Sequence, residues 1–399
     1  MTAYRAAWVC PIDRPPIKDG VVEVADGRIV GVNSRQPDAA VRDLGNVALM
    51  PGLINAHVHL ELSWLRGRVP PADRFTDWVR KLIPARGGVE QPGDPNVVQF
   101  IEQAIVELRA SGTVAIGDIS NSLASPGLMA AAGLRGVVFH ELLGFKERDG
   151  AVVTASRKAR TTAALHAVPV SIAPHAPYST SPELFQAIRA EVDTSACRIT
   201  TVHLGESPEE VEFLAEGAGP WRRMLEVIGA WRDDWQVPAC GPVAYLDGLG
   251  VIDERTLVVH AVQLVDQELA RLAAIGATLV TCPRSNRWVG VGAPPIERFY
   301  GSGVAVAVGT DSLASVEDLN LFAELHAMHT LAPSVAPRRI LESATLVGAK
   351  ALGLEGELGS LTAGKRASLI AVDLGGGADD VEEYLVSGIK PAQIEPLNL

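Results

Sequence analysis

Histidines and an acidic residue that could bind a metal ion follow short apolar runs in this sequence. His57 and His59 are two positions apart, His203 and His260 end later runs, and Asp311 follows a further run. Side chains two positions apart in an extended strand point to the same face, so both imidazoles of the first pair can reach one cation. Three histidines and a carboxylate suit Zn²⁺ or Fe²⁺ and leave a coordination position for water. The pattern predicts a metal centre that activates water.

Each of these residues also has a plainer explanation. A lone histidine at the end of a strand is more often a hydrogen-bonded core residue than a ligand. Asp311 could be the N-cap of a helix, and Glu206 could be an acid in a first helical turn, favoured there by the helix dipole. The occurrence of possible ligands at four separate strand ends is what favours the metal site.

The middle of the chain alternates short β-branched runs with amphipathic helical stretches. Active sites of (β/α)₈ barrels form at the carboxyl ends of the strands, where most of the histidines stand. Eight such units over roughly 290 residues match a (β/α)₈ TIM barrel, and a doubly wound open sheet is the alternative α/β fold. The predicted strands are Leu49–Ala56, Val114–Asp118, Gly136–His140, Val168–Ala173, Ile199–His203, Thr256–His260, Thr278–Cys282 and Val304–Gly309.

Two helices between these strands carry clear end signals. The helix predicted over Asn96–Ser111 has one apolar face and stops before Gly112. Residues 207–210, Ser-Pro-Glu-Glu, form a capping box with proline at the first helical position. This second helix begins just after the third predicted ligand, His203.

Both ends of the chain are predicted to be β structure. An alternating hairpin with an Asp-Gly turn occupies the beginning, and paired strands return near the end. Residues 1–49 and 340–399 are therefore expected to form one small β-sandwich-like domain, and residues 50–339 a metal-dependent catalytic barrel. The predicted strands at the two ends are Val21–Val24, Arg28–Val32, Glu357–Leu361 and Ala367–Val372.

Composition limits the possible partners. The 399-residue chain has a formal net charge of −12, which gives no basic surface for a nucleic acid or an anionic membrane. No apolar run approaches the roughly 18 to 20 residues that span a bilayer, and the N-terminus lacks a signal-peptide pattern. Four scattered cysteines without a CxxC pair fit a reducing compartment. We expect a cytoplasmic protein with a small-molecule substrate.

The stretch between His203 and His260 is long and carries three tryptophans, Trp221, Trp231 and Trp235. Tryptophans at these spacings are more often packing residues. A lid over the substrate or a homodimer contact is the alternative explanation.

Four segments, in this order, resemble the motifs of the amidohydrolase superfamily, in its chlorohydrolase and aminohydrolase branch. They are Pro51–His59, His203–Glu206, Val259–Ala261 and Gly309–Asp311. The resemblance covers nearly the whole chain. It implies a (β/α)₈ barrel flanked by a β domain from both termini, and hydrolysis at a ring carbon.

The resemblance also implies a role for each residue in these motifs. A single divalent ion, usually zinc, would be bound by His57, His59, His203 and Asp311. His260 would contact the hydrolytic water, Asp311 or His260 would accept its proton, and Glu206 would carry protons to the substrate ring. The residue types agree with this chemistry, because a metal ion lowers the pKa of bound water to roughly 7 and a carboxylic acid can protonate a ring nitrogen.

The end of the fourth predicted strand indicates how many metal ions bind. Related enzymes with two metal ions carry a bridging Lys or Glu there, whereas residues 173–179 of this chain read Ala-Pro-His-Ala-Pro-Tyr-Ser. A mononuclear site is therefore expected. The same segment resembles that of deaminases of adenosine-like nucleosides, which implies that His175 contacts the substrate.

Three segments resemble deaminases of 6-aminodeoxyfutalosine, in menaquinone biosynthesis, more than deaminases of S-adenosylhomocysteine. They are His59–Ser63, Cys282–Asn286 and Gly309–Ser315. The latter enzymes have a ribose-binding Glu at about the spacing where this chain has Arg86. Because a guanidinium is the natural partner of the benzoate of aminodeoxyfutalosine, we expect Arg86 or Arg148 to bind it. Glu61 is a further candidate for substrate contact, and a plain surface position is the alternative for either arginine.

The expected reaction converts 6-aminodeoxyfutalosine to a futalosine-type product and ammonia. Alternatives within the branch are deamination of S-adenosylhomocysteine, adenosine, guanine or cytosine, and hydrolysis of a chlorinated triazine. A noncatalytic barrel scaffold is a remote alternative, and the filled metal and acid-base positions argue against it.

Overall fold

The computed structural model describes residues 1–33, 40–87 and 93–397, and it alternates β and α elements. The strands are β1 (Thr2–Val9), β2 (Ile17–Ala25), β3 (Arg28–Asn33), β4 (Val41–Asp43), β5 (Val47–Pro51), β6 (Leu53–Val58), β7 (Thr113–Ser120), β8 (Arg135–Leu142), β9 (Val170–Pro174), β10 (Thr200–Leu204), β11 (Thr256–His260), β12 (Thr278–Thr281), β13 (Ala305–Val308), β14 (Leu369–Asp373) and β15 (Ile394–Leu397). The helices are α1 (Phe75–Arg86), α2 (Pro95–Ala110), α3 (Ser125–Ala131), α4 (Ala151–Ala163), α5 (Pro182–Thr194), α6 (Pro208–Glu216), α7 (Gly219–Val227), α8 (Pro242–Gly248), α9 (Asp266–Ile275), α10 (Pro283–Trp288), α11 (Ile296–Gly301), α12 (Leu321–Leu331), α13 (Pro337–Ser343), α14 (Leu346–Ala351) and α15 (Val381–Leu385). Within these described ranges, no helix is both long enough and apolar enough to cross a membrane.

Eight strands form two parallel sheets of four. One sheet has the order β6-β7-β8-β9 and the other the order β10-β11-β12-β13. Every residue of β6, β9, β10, β11 and β12 is buried, as expected for parallel strands that helices cover. Each of the eight predicted strands overlaps one of these strands, and the α/β class is confirmed.

Backbone hydrogen bonds join the two parallel sheets at both pairs of edges. At one pair, the amide of His203 donates to the carbonyl of His175 at 2.9 Å. At the other pair, the amides of Thr310 and Asp311 both donate to the carbonyl of His57, at 3.1 Å. These bonds bring residues from opposite ends of the sequence to one place.

The seam between β6 and β13 leaves no room for a side chain at Gly309. A Cβ atom there would lie 2.6 Å from the carbonyl oxygen of His57 and 2.7 Å from its Cβ. Asn55, which is fully buried on β6, strengthens the seam through its side chain. Its Nδ2 donates to Thr310 Oγ1 at 2.7 Å, and its Oδ1 accepts from the Thr310 amide at 3.2 Å.

Both ends of the chain contribute to one seven-stranded sheet. Its order is β15-β14-β5-β1-β2-β3, with β4 paired to β1. The predicted hairpin is confirmed, because β2 and β3 are antiparallel around Asp26 and Gly27, which have φ values of 50° and 70°. The division into domains at residues 49 and 340 stays a prediction.

Some details of the predicted β structure are wrong. Leu49–Ala56 is not one strand, because the chain passes from β5 to β6 at Gly52, where a Cβ would lie 2.2 Å from Val114 Cγ1. Residues 357–361 form turns, and Gly359 has a φ of 89° that is incompatible with an extended strand. Instead, β14 pairs with β5 and β15. The described strands of the two ends therefore lie in one hydrogen-bonded sheet, and the sandwich-like form of this domain stays a prediction.

The tryptophans after β10 are packing residues, which confirms the plainer of their two explanations. Trp221 stacks on Tyr178 with ring centroids 3.8 Å apart, and Trp235 stacks on Phe213 at 4.7 Å. Trp231 packs against Trp235 from the side.

Replacing Gly309 with Ala should destabilise the seam. The added Cβ would overlap the backbone of His57, and overpacking of this kind costs about 1–3 kcal/mol. We expect a lower Tm for the metal-free protein in thermal unfolding. Gly301→Ala is the matched control, because nothing lies within 4 Å of a Cβ there, and its Tm should not fall. An unchanged Tm for Gly309→Ala would show that the seam is not closely packed.

Candidate active site

The predicted metal ligands and His260 meet at the carboxyl ends of the parallel strands. The Nε2 atoms of His59 and His57 lie 3.5 and 3.8 Å from Asp311 Oδ1. The imidazole centroid of His57 is 4.9 Å from that of His59, 5.0 Å from that of His203 and 5.7 Å from that of His260. The structure therefore brings all five residues together.

Three nitrogen atoms of this cluster are available to bind a metal ion. Both ring nitrogens of His57 and Nε2 of His203 are buried and have no hydrogen-bond partner among the described residues. Single ligand atoms of His57, His59 and Asp311 lie within 4.8 Å of one another, as do those of His57, His203 and His260. Burial and the neighbouring histidines lower the pKa of His57 well below its usual range, which keeps the ring in the neutral form that binds metals. The donor set fits a divalent ion such as Zn²⁺.

Two serines orient the carboxylate of Asp311. The Oγ atoms of Ser285 and Ser315 donate to Asp311 Oδ2 at 2.6 and 3.1 Å, which leaves Oδ1 facing His57 and His59. The backbone of Asp311 has a φ of 62°, which is uncommon for a residue other than glycine and recurs at functional sites.

Glu206 and His260 face each other beside the cluster. His260 Nε2 lies 3.5 Å from Glu206 Oε1 and 3.0 Å from His203 Nδ1. Burial raises the pKa of Glu206 to about 8, so this carboxyl is protonated at neutral pH and can donate a proton. On the opposite side of the His260 ring, the side-chain nitrogen Nδ2 of Asn286 lies 3.0 Å from His260 Nδ1.

A second buried carboxyl fixes the backbone that carries Glu206. Glu210 Oε1 accepts from the Gly205 amide at 2.8 Å, and Oε2 accepts from the Glu206 amide at 3.1 Å. The capping-box prediction is therefore half right. Ser207 caps α6 by accepting from the Glu210 amide at 3.3 Å, but the Glu210 side chain binds the two upstream amides instead of closing the box.

A cavity of about 100 Å³ extends from the cluster toward α1. His175 and Arg86 line this cavity, together with the apolar side chains of Trp78, Leu82 and Leu143. The position of His175 and Arg86 is compatible with contact to a substrate, and their roles stay predictions.

Glu61 and Arg148 are not among the residues that line this cavity. Glu61 is buried, and it accepts from the Asn121 amide at 2.8 Å and from the Ser122 hydroxyl at 2.7 Å. Its carboxylate therefore holds the turn after β7. Arg148 is exposed and donates to Asp234 at 2.8 Å. Both side chains have polar partners among the described residues, and their contact with a substrate stays a prediction.

Sequence reasoning missed Glu141, at the end of β8. Its buried carboxylate lines the cavity, lies 3.5 Å from His203 Nε2 and accepts from Asn121 Nδ2 at 3.1 Å. Burial opposes its ionisation, but His175 and His203 outweigh this and lower the pKa of Glu141 below its usual range. The available signal was its place directly after His140, where the predicted strand stopped too early.

Parallel sheets with a cluster of possible metal ligands at their carboxyl ends are typical of α/β enzymes that use a metal ion. The chain belongs to the amidohydrolase family, whose sequence profile, described as "Amidohydrolase family", matches residues 48–395. It is a hydrolase that acts on carbon–nitrogen bonds.

Known proteins resemble this chain over nearly its whole length. A protein of Nitratidesulfovibrio vulgaris (strain DSM 19637 / Miyazaki F), named 5-methylthioadenosine/S-adenosylhomocysteine deaminase, is 32% identical over 381 residues, which are 90% of this chain and 81% of the relative. The zinc-bound structure of an adenosine deaminase from Xanthomonas campestris is 27% identical, with a TM-score of 0.84, and the match covers 98% of this chain and 90% of that one. Helicobacter pylori aminofutalosine deaminase in complex with methylthio-coformycin is 25% identical, with a TM-score of 0.85 and coverage of 99% and 97%.

Replacing Glu210 with Gln should change how stability depends on pH. Burial raises the pKa of Glu210 to about 7 from its usual 4.5, so between these values the folded protein holds a proton that the unfolded chain has lost. The stability contributed by this group is complete below pH 4.5 and is lost as the pH rises to about 7, a change of about 3 kcal/mol.

Chemical denaturation of the metal-free protein from about pH 4 to about pH 8 measures this effect. The free energy of unfolding of the parent minus that of Glu210→Gln should fall across the range. Glu212→Gln, an exposed change on the same helix, should give a flat difference. Parallel pH profiles for the parent and Glu210→Gln would mean that Glu210 does not hold a proton in the folded protein.

Proposed function

We propose that this protein is a metal-dependent hydrolytic deaminase of adenine nucleosides, built on a (β/α)₈ barrel with a small sheet from both chain ends. The observation that carries this proposal is the buried pair of Glu206 and His260 beside the cluster of possible metal ligands. The names of the similar proteins support it, because they are deaminases of adenosine, of 5-methylthioadenosine and S-adenosylhomocysteine, and of aminofutalosine.

One divalent ion would be held by His57, His59, His203 and Asp311. Zinc is favoured because the similar Xanthomonas structure contains it, and Fe²⁺ suits the same donors. When bound, such an ion would lower the pKa of a coordinated water molecule from 15.7 to about 7.

The side chains around the ion would move the protons. Deamination at C6 of adenine breaks the C6–N bond, forms a C6–O bond from water and releases ammonia. Glu206, protonated at neutral pH, would donate to ring nitrogen N1 and make C6 more electrophilic. His260 or Asp311 would accept a proton from the water and pass it to the departing amine. Glu206 would regain a proton from the new C6 hydroxyl as the C6=O bond forms.

The cavity favours a nucleoside with an apolar, anionic substituent. Trp78, Leu82 and Leu143 supply an apolar wall, and Arg86 supplies a cation at the same cavity. An aromatic carboxylate fits both features, which supports 6-aminodeoxyfutalosine as the substrate. The second candidate is 5-methylthioadenosine or S-adenosylhomocysteine, favoured by the relative that is 32% identical.

Ammonia release from a panel of purified substrates tests this function. The zinc-loaded protein should deaminate 6-aminodeoxyfutalosine best, 5-methylthioadenosine, S-adenosylhomocysteine and adenosine less well, and guanine, cytosine or a chlorinated triazine least. Glu206→Gln is the matched inactive control: it should keep its zinc, and its kcat should be about 10²- to 10⁴-fold lower. No release from any adenine nucleoside, or full activity in Glu206→Gln, would contradict the proposal.

Replacing Arg86 with Ala tests the recognition of a carboxylate. The loss of a charge-assisted hydrogen bond worth about 1.5–3 kcal/mol should raise the KM for 6-aminodeoxyfutalosine roughly 10- to 100-fold. The kcat/KM for 5-methylthioadenosine, which has no carboxylate, should change much less. Arg80→Ala, an exposed change on the same helix, is the control. Equal effects on both substrates would remove Arg86 from carboxylate binding.

A further inference from the structure

The short helix α10 places two consecutive side chains against two groups of the site. Ser285 holds Asp311, as described above, and Asn286 contacts the ring of His260. Asn286 is fully buried, and the proposed chemistry does not use it. Its contact with His260 raises the question of which ring nitrogen of His260 carries the hydrogen.

The two nitrogens of His260 face different neighbours. Nε2 faces His203 Nδ1 at 3.0 Å and Glu206 Oε1 at 3.5 Å, so this nitrogen points toward the reacting groups. Nδ1 faces the side-chain amide of Asn286 at 3.0 Å. A neutral imidazole carries one hydrogen, and the partner of one nitrogen decides the state of the other.

The neighbouring His203 restricts the choice. If His203 binds the metal ion through Nε2, which has no hydrogen-bond partner among the described residues, its hydrogen is on Nδ1. That N–H then donates to His260 Nε2, which must be an acceptor. His260 therefore carries its own hydrogen on Nδ1, and the group of Asn286 that meets it must be the amide oxygen.

A half-turn of the Asn286 side-chain amide can satisfy this requirement. Nδ2 is placed toward the His260 ring, and Oδ1 is buried without a hydrogen-bond partner. A half-turn about the last side-chain bond exchanges the two atoms, which have nearly the same size and shape. After this half-turn Oδ1 accepts from His260 Nδ1.

We propose that Asn286 is a positioning residue that holds His260 in the tautomer with its hydrogen on Nδ1, so that the lone pair of Nε2 accepts the Nδ1–H of His203 and fixes this proposed metal ligand in its orientation for catalysis. The catalytic consequence rests on the proposed deaminase function, whereas the tautomer itself does not. Asn286 acts through His260 and touches neither substrate nor metal ion.

Two variants of nearly equal size separate this role from plain packing. Asn286→Asp retains an acceptor oxygen, whereas Asn286→Leu retains none. We expect Asn286→Leu to lose about 10²-fold in kcat with little change in KM, and Asn286→Asp to restore most of that loss. Arg287→Gln, an exposed change on the same helix, is the control for folding and zinc content. Equal losses of kcat in the Asp and Leu variants would overturn the proposal. That result is expected if Asn286 only fills space, or if its amide donates a hydrogen bond to His260.

Nuclear magnetic resonance of protein labelled with ¹⁵N-histidine tests the tautomer without any substrate. The His260 signals of the zinc-loaded parent should show a protonated Nδ1 and an unprotonated Nε2, and Asn286→Leu should show a mixture of tautomers. A protonated Nε2 in the parent would overturn the proposal. If the parent shows the expected tautomer but deaminates no adenine nucleoside, the proposed function fails and the role of Asn286 stands.

Discussion

The site depends on the close contact between the first and the last parallel strand. Gly309 passes so near the backbone of His57 that no side chain fits between them. The amides of Thr310 and Asp311 then bind the carbonyl of His57, and the side chain of Asn55 ties both strands together. Because of this seam, a histidine from the beginning of the chain and an aspartate some 250 residues later can share one cation.

Groups behind the site hold each reactive side chain from the side that faces away from the cavity. Ser285 fixes one oxygen of Asp311, and Glu210 fixes the backbone amide of Glu206. The carboxyl groups that make these contacts are buried. Burial disfavours the charged form of a carboxyl group, which is why the pKa values of Glu206 and Glu210 are raised. A protonated acid at neutral pH is useful for catalysis and unfavourable for stability, a combination typical of active sites.

The sequence alone was sufficient to locate the eight parallel strands and to predict which residues meet at their carboxyl ends, because burial pattern and strand ends are local features. It was not sufficient for partners that are distant in sequence. Glu61 stands beside the first histidine pair, but the turn after β7 binds its carboxylate, and Arg148 is bound by Asp234, 86 residues away. Glu141 was missed because its importance comes from His203 and from the neighbouring strand. The false strand at 357–361 reflects a backbone conformation of Gly359 that composition does not reveal.

The binding of one metal ion by the four predicted ligands can be tested by anomalous diffraction at the zinc edge, from crystals of the zinc-loaded protein. We expect one peak per chain, about 2.0–2.2 Å from nitrogens of His57, His59 and His203 and from an oxygen of Asp311. A peak next to Glu141 and His175 instead, or no peak at the carboxyl ends of the strands, would contradict this ligand set.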